Sequence, residues 1–213
     1  LLTNLKTLET FLSLLIEQLR VLFNLAVFSG LRKGEMLALQ WSDIDFENST
    51  VSVTKAAAVV DGKQVCKAPK TKNSRREVSI PRFLTDRLHS MMVEQTKTKE
   101  SLGAYWKGNN WLFTQSDGSM MSYSTPYATF QDAIDRYNAN KEPSDQLPHI
   151  PFHGLRHTSA TLLIAAHQDV RTVSNRLGHA QASTTMNIYA HALKENDRTA
   201  SNALENMLCK TGA

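Results

Sequence analysis

Residues 151–163 read PFHGLRHTSATLL, placing two histidines and an arginine within five positions, just ahead of an apolar run of helical spacing. Three chemistries compete for this stretch. His153 and His157 are four apart, a spacing at which two imidazoles can share one metal ion on a helix face. The residues between them are Gly, Leu and Arg. The general-base glutamate of the zinc hydrolase motif is therefore missing, and a guanidinium stands where a cation is unwelcome. No metal is expected. A histidine beside apolar residues is usually a satisfied part of the core, and His157 is read that way. His153 and Arg156 differ, because they lie three apart on one helix face. They combine a titratable base with a forked donor that suits two phosphate oxygens.

Working outward, residues 4–28 repeat Leu, Ile, Val and Phe at spacings of three and four, which predicts one or two packed helices broken near Glu17 to Arg20. The following stretch, SGLRKGEMLALQW, sets glycines at 30 and 34 around Arg32 and resumes an apolar stripe at Met36, Leu37 and Leu39. Arg32 is thus expected at a turn opening a helix, where backbone N–H groups also favour an anion. From Thr50 the period changes to two, in TVSVTKAAAVV, and Asp61–Gly62 supplies a hairpin turn. Val78 and Ile80 close a last strand before Pro81, giving one small antiparallel sheet with a basic loop. Residues 82–95 read as helix, and 96–122 as a polar segment with a short WLF element. Thr125 and Pro126 suit the N-cap and first turn of a helix ending near Asn138. Beyond the loop KEPSDQLPHIP come four helical stretches, 153–167, 169–177, 182–190 and 191–208. The fold class is mainly α with a small antiparallel β-sheet, an α+β chain.

The 213 residues are 41% apolar, enough to bury a sizeable core as one large domain or two small ones. No apolar run approaches the roughly 20 residues that cross a bilayer, so a membrane is not an expected partner. Cys66 and Cys209 make neither a disulfide framework nor a zinc knuckle, which fits a reducing compartment, the cytoplasm. The chain begins at Leu1 without methionine or a leader, and is read as a fragment. Its net charge is only +4, but residues 61–87 hold eight basic residues against three acidic ones. That local excess suggests a polyanion contact, against the alternative of a solvated lysine-rich loop.

His153 and Arg156 gain weight from company. Arg32 stands in its glycine-flanked turn, Lys72 in the basic hairpin, His179 after a glycine in RLGHA, and Tyr189 in STTMNIYAHAL. Each alone has a plain structural explanation: a surface cap, a solvated charge, a neighbour of a helix end, a core aromatic. Together they supply what phosphodiester transesterification without a metal needs. With the motifs SGLRKGE, KTKNSRREVSIP, HGLRHTSATLL and LGHAQASTTMNIYAH in this order, and a histidine ten residues before the tyrosine, the chain resembles the catalytic domain of tyrosine recombinases. This is the integrase family of phages and conjugative transposons, which shares its active-site plan with type IB topoisomerases.

The resemblance covers nearly the whole chain, and it implies roles. Arg32 and Arg156 match the two catalytic arginines, His153 the first histidine, and His179 the position held by histidine or tryptophan. Lys72 matches the hairpin lysine, with Lys70 as the other candidate because hairpin length varies. Tyr189 matches the nucleophile, and Glu35 the acidic residue after the first arginine, more an orienting group than a reacting one. Lys70, Arg75 and Arg76 are expected on DNA phosphates. The implied activity is site-specific recombination for integration and excision of a mobile element, through a 3′-phosphotyrosyl intermediate, with no cofactor. The implied partners are double-stranded DNA at element ends and target, further copies of the chain in a DNA-bound tetramer, and an accessory DNA-bending or directionality protein. The fold would be one catalytic domain over 1–213, preceded in the family by N-terminal DNA-binding domains, and its place the bacterial cytoplasm at the nucleoid. The segment at about 191–208 commonly passes to the next protomer in the family, although its apolar positions would also let it fold back on its own core.

Two other classes remain open on the residues alone. A DNA-binding module without chemistry would use the same scaffold, but the full candidate set argues against it. A metal-dependent nuclease needs clustered carboxylates, and only Asp43, Asp45 and Glu47 in SDIDFE are dense; they read better as a solvated turn. Insensitivity of DNA cleavage to a chelator separates the recombinase from the nuclease.

Overall fold

The structure, a computed structural model, describes residues 15–68, 75–178 and 186. Its central element is helix α1, Glu17–Ser29, in which Leu19, Val21, Leu22, Phe23, Leu25, Ala26 and Val27 are all buried. A helix apolar on nearly every side belongs inside a core, and α1 packs against three later helices. It runs without a break from Glu17. The interruption expected near Glu17 to Arg20 is not found: Ile16, ahead of the helix, is extended, and residues 4–14 of the expected helical stretch lie outside the described residues. Gly30 ends the helix in the left-handed region, φ +65°, and its N–H returns to the Ala26 carbonyl at 3.0 Å.

Helix α2, Lys33–Leu37, follows at once. Strands β1 (Ile44–Asp45), β2 (Thr50–Val53) and β5 (Arg76–Ser79) form one antiparallel sheet with β2 in the middle, registered by Val51 opposite Ile44 and Val78. Strands β3 (Ala56–Val60) and β4 (Lys63–Lys67) form a separate hairpin, closed by Asp61 and Gly62 at φ +48° and +73°, the two positive values a tight primed turn requires. The single sheet read from the sequence is therefore two. The ladder stops after Val53, and Lys55 turns aside to Gln40 (2.6 Å) and Asp43 (3.0 Å). The SDIDFE stretch also differs from a simple turn: Ile44–Asp45 pairs as a strand, while Asp43 accepts the Gln40 N–H at 2.8 Å. Among the described residues, no group of three or more His, Cys, Asp or Glu is placed to hold a metal ion.

Helix α3, Arg82–Leu102, extends seven residues past the expected end at 95. Residues 96–101 of these last turns are exposed, so no apolar stripe marks them. Helix α4, Thr125–Asn138, has Pro126 in its first turn as the sequence predicts. Helices α5 (Gly154–Ala165) and α6 (Val170–Leu177) complete the described fold. Asp169 caps α6, accepting the Thr172 N–H at 2.9 Å, and Gly178 closes it at φ +67°. The core is built around Phe23, Phe130 and Phe152, with ring centroids 5.3 to 6.1 Å apart. Ala160 and Ile164 of α5 meet Val173 and Leu177 of α6 in a smaller cluster. The fold is mainly helical with small antiparallel sheets. Among the described residues no helix is long and apolar enough to cross a membrane. Of the expected helical stretches at 182–190 and 191–208, only Met186, which is helical, is among the described residues.

A candidate anion site between two arginines

The α1 terminus, the α2 start and the first turns of α5 meet at one place. Gly30 turns the chain in its left-handed conformation, and a Cβ there would lie 2.2 Å from Leu177 Cδ2, so glycine also permits the close approach of α6. Leu31 goes into the core, and Arg32 becomes the N-cap of α2. The Arg32 N–H donates to Glu35 Oε2 at 2.8 Å, the carboxylate arm of a capping box. The Arg32 side chain, 41% exposed, donates from Nη1 to Glu35 Oε1 at 3.0 Å and from Nη2 to the Gly178 carbonyl at 3.1 Å.

Arg156 comes to the same place from α5 and is only 3% exposed. Its Nη1 donates to the Gly30 carbonyl at 2.6 Å, whereas its buried Nη2 has no hydrogen-bond partner among the described residues. A buried donor without an acceptor is costly and a buried charge without a counter-charge more so. Burial, together with the charges of Arg32 and Arg76, pushes the Arg156 pKa down to about 9, although Glu35 pulls the other way. Both arginines line one cavity of about 370 Å³, with Lys33, Tyr123, Tyr127 and His153 on its walls. The Lys33 ammonium sits 3.9 Å from the Tyr123 ring centroid, and partial burial lowers its pKa.

His153 is the N-cap of α5 and stands exposed beside the cavity. Desolvation, then the charges of His157, Arg156 and Arg32, lower its pKa below the usual 6.5, so the ring is neutral at pH 7. The His157 ring lies perpendicular to it, centroids 5.2 Å apart. His157, expected in the core, is exposed. The buried face of α5 carries Leu155, Arg156, Ser159, Ala160 and Ile164, and position 157 falls on the other side.

Glu35 is buried and holds both Arg32 and Arg76. Burial alone would raise its pKa, but hydrogen bonds and charge from Arg76, then from Arg32, overcome it and leave the carboxyl below its ordinary value. Arg76, expected on a DNA phosphate, is found on Glu35 instead, with its side chain buried; its neighbour Arg75 is exposed. Lys70, Lys72, His179 and Tyr189 lie outside the described residues. The structure thus brings together Arg32, Glu35, His153 and Arg156. It adds partners that residue types do not reveal: the carbonyls of Gly30 and Gly178, and Arg176, whose Nη2 reaches the carbonyls of Phe28 and Ser79, both at 2.7 Å.

A family profile described as the phage integrase family matches residues 3–196. A tyrosine recombinase XerC-like protein of Caldanaerobacter subterraneus is 33% identical over 202 residues, covering 89% of this chain and 50% of the relative. The ICEBs1 integrase of Bacillus subtilis is 32% identical over 189 residues, covering 89% and 49%. The chain spans about half the length of these relatives. Among solved structures, the Tn1549 transposon integrase in complex with transposon right end DNA superimposes with a TM-score of 0.79 at 24% identity, over 94% of this chain and 65% of that one. The XerH recombinase in a post-cleavage complex with its palindromic difH substrate gives 0.59 at 24%, over 95% and 52%.

Proposed function

The chain belongs to the phage integrase family, and from that premise we propose that it is the catalytic part of a site-specific DNA recombinase serving integration and excision of a mobile element. The observation that carries this reading is the Arg156 guanidinium, buried beside Arg32 at one cavity, with no partner for Nη2 among the described residues. A pair of preformed cations aimed at one small space suits an anion that gains charge during reaction, as a phosphodiester does. The Tn1549 and XerH relatives were solved on DNA, one of them after cleavage, which supports a DNA substrate.

Tyrosine's phenol has a pKa of about 10, so at neutral pH it attacks only when its proton is taken or its phenolate stabilised. Tyr189 attacks the scissile phosphorus. The bond to the 5′-oxygen breaks as the bond to the phenol oxygen forms, leaving a 3′-phosphotyrosyl link and a free 5′-hydroxyl. Arg32 and Arg156 hold the non-bridging oxygens and neutralise the charge that grows on them. Neutral His153 takes part in proton transfer at the phenol, with His179 hydrogen-bonding the phosphate, and Lys72, or Lys70, protonates the leaving oxygen. Attack by a 5′-hydroxyl of a partner strand reverses the step on new DNA. The link conserves the phosphodiester bond energy, so the cycle is expected to run without ATP or metal. Arg75 and the rest of the basic 61–87 segment would add phosphate contacts and a strong salt dependence of binding. A DNA-bound tetramer joined through residues 191–208, with an accessory bending protein, completes the proposal.

The test is a labelled, nicked suicide duplex of the element end, incubated in chelator with the protein and with Tyr189→Phe. An adduct that survives denaturation and needs Tyr189 is the expected result. Tight binding to the same duplex without an adduct, in the full natural chain, overturns the reading.

A further inference from the structure

Arg76 opens strand β5 with its side chain buried, while its neighbours Arg75 and Glu77 are exposed. Its Nη1 and Nη2 donate to the two oxygens of Glu35 at 3.1 and 2.9 Å, a bidentate fork. Its Nε donates to the carbonyl of Arg176, near the C-terminal end of α6, at 2.9 Å. The fit at that end is close, since a Cβ on Gly178 would lie 2.9 Å from Arg76 Nη1. One guanidinium therefore joins three segments distant in the chain: α2 at position 35, β5 at 76, and the end of α6 at 176. Arg32 closes the ring, bound to Glu35 on one side and to the Gly178 carbonyl on the other.

In the sequence, position 72 lies four residues before Arg76, and His179 directly follows Gly178. The described parts of three motifs, at 32–35, 76 and 176–178, thus meet at one buried group. We infer that Arg76 is a positioning residue for strand cleavage: it fixes Arg32 through Glu35, and ties the start of β5 to the C-terminal end of α6. The inference rests on the recombinase reading of those residues.

A phosphate contact does not account for this placement, because the Arg76 side chain is buried and three of its five N–H groups donate to Glu35 and the Arg176 carbonyl. Nor is it filler of the core. A carboxylate left with Arg32 as its only cationic partner would draw that side chain into a full fork of its own, away from Gly178 and the cavity. With Arg76 in place, Glu35 shares each oxygen between the two arginines. The group Arg32, Arg76 and Arg156 against Glu35 then keeps a positive excess for an incoming anion.

The experiment uses the full natural chain and Arg76→Lys, which keeps the charge but cannot span both Glu35 oxygens and the Arg176 carbonyl. Single-turnover cleavage of the suicide duplex is measured at saturating DNA, and Kd separately. The variant is expected to fold cooperatively and to lose about tenfold to a hundredfold in cleavage rate, with Kd changed less than about threefold. Amide hydrogen exchange at residues 32–36 and 177–178 should accelerate in step. A wild-type cleavage rate in Arg76→Lys, or a loss confined to Kd, overturns the inference. Should the wild type itself form no adduct, the recombinase reading falls, and the exchange arm still decides: unaltered protection at 177–178 in Arg76→Lys discards the positioning role.

Discussion

Arg156 Nη1 lies 2.6 Å from the carbonyl oxygen of Gly30, 126 positions earlier in the chain, so that the end of α1 aims a guanidinium carried by α5, the helix packed against it. The bond directs half of the fork, and Nη2 has no hydrogen-bond partner among the described residues.

Because burial and the charge of Arg32 depress the Arg156 pKa to about 9, keeping that cation charged costs free energy, and a bound anion would offset the cost. Inorganic phosphate or vanadate should raise the melting temperature of the wild type. At about ten times Kd the gain is roughly 1.4 kcal/mol, or about 3 to 5 °C for a domain of this size. In Arg156→Gln the dependence on anion should vanish, as read by scanning calorimetry across a phosphate titration.

Arg32→Ala removes the exposed arginine together with its bond to Gly178. Cleavage in the suicide-substrate assay should fall by about a hundredfold or more, on the scale of losing one transition-state donor. DNA affinity, measured by fluorescence anisotropy, should be largely retained. Loss of affinity to the same degree would make Arg32 an anchor and not a catalytic group.

His153 has a folded pKa below 6.5, so it is neutral at pH 7 and gains its proton only in more acidic solution. The unfolded chain then binds more protons than the folded one just below pH 6.5, and stability declines as pH falls through that window. The rate of adduct formation should fall on an acid limb whose midpoint lies below 6.5. His153→Gln should flatten that limb, which a pH series of single-turnover rates reads directly.

Glu35 behaves oppositely in sign. Its folded pKa is held below the ordinary 4.5 by its arginines, so its contribution is whole above pH 4.5 and is lost as pH falls through the folded value. Glu35→Gln leaves Arg76 buried without a counter-charge, a change that typically costs about 3 to 5 kcal/mol. Urea denaturation at pH 7 should show that loss, and it should shrink toward pH 3.

How much of this was legible before the fold was known depended on distance along the chain. Arg156 with His153, and Arg32 with Glu35, lie within one helical turn, where spacing alone says which side chains share a face. The doublet Arg75–Arg76 shows the limit, because residue type and local charge make its members equivalent. The strand period separates them: Arg76 shares a face with Val78, which is buried, and Arg75 and Glu77 take the other. That alternation was present in RREVS, but its inward partner, Glu35, lies 41 positions away and is set by tertiary packing. The same reasoning explains His157, whose apolar neighbours belong to the opposite face of α5, and the last turns of α3, which carry no stripe to be read.

The carbonyls that seat Arg156 and Arg32 belong to Gly30 and Gly178, main-chain atoms that every residue type carries. A site braced by side chains can erode through any of them, one substitution at a time. Here two of the braces have no side chain to lose, and both sit at left-handed turns where anything larger meets Leu177 or Arg76 within 3 Å. Drift across the surrounding surface can therefore proceed a long way, while the aim of the two arginines is inherited intact.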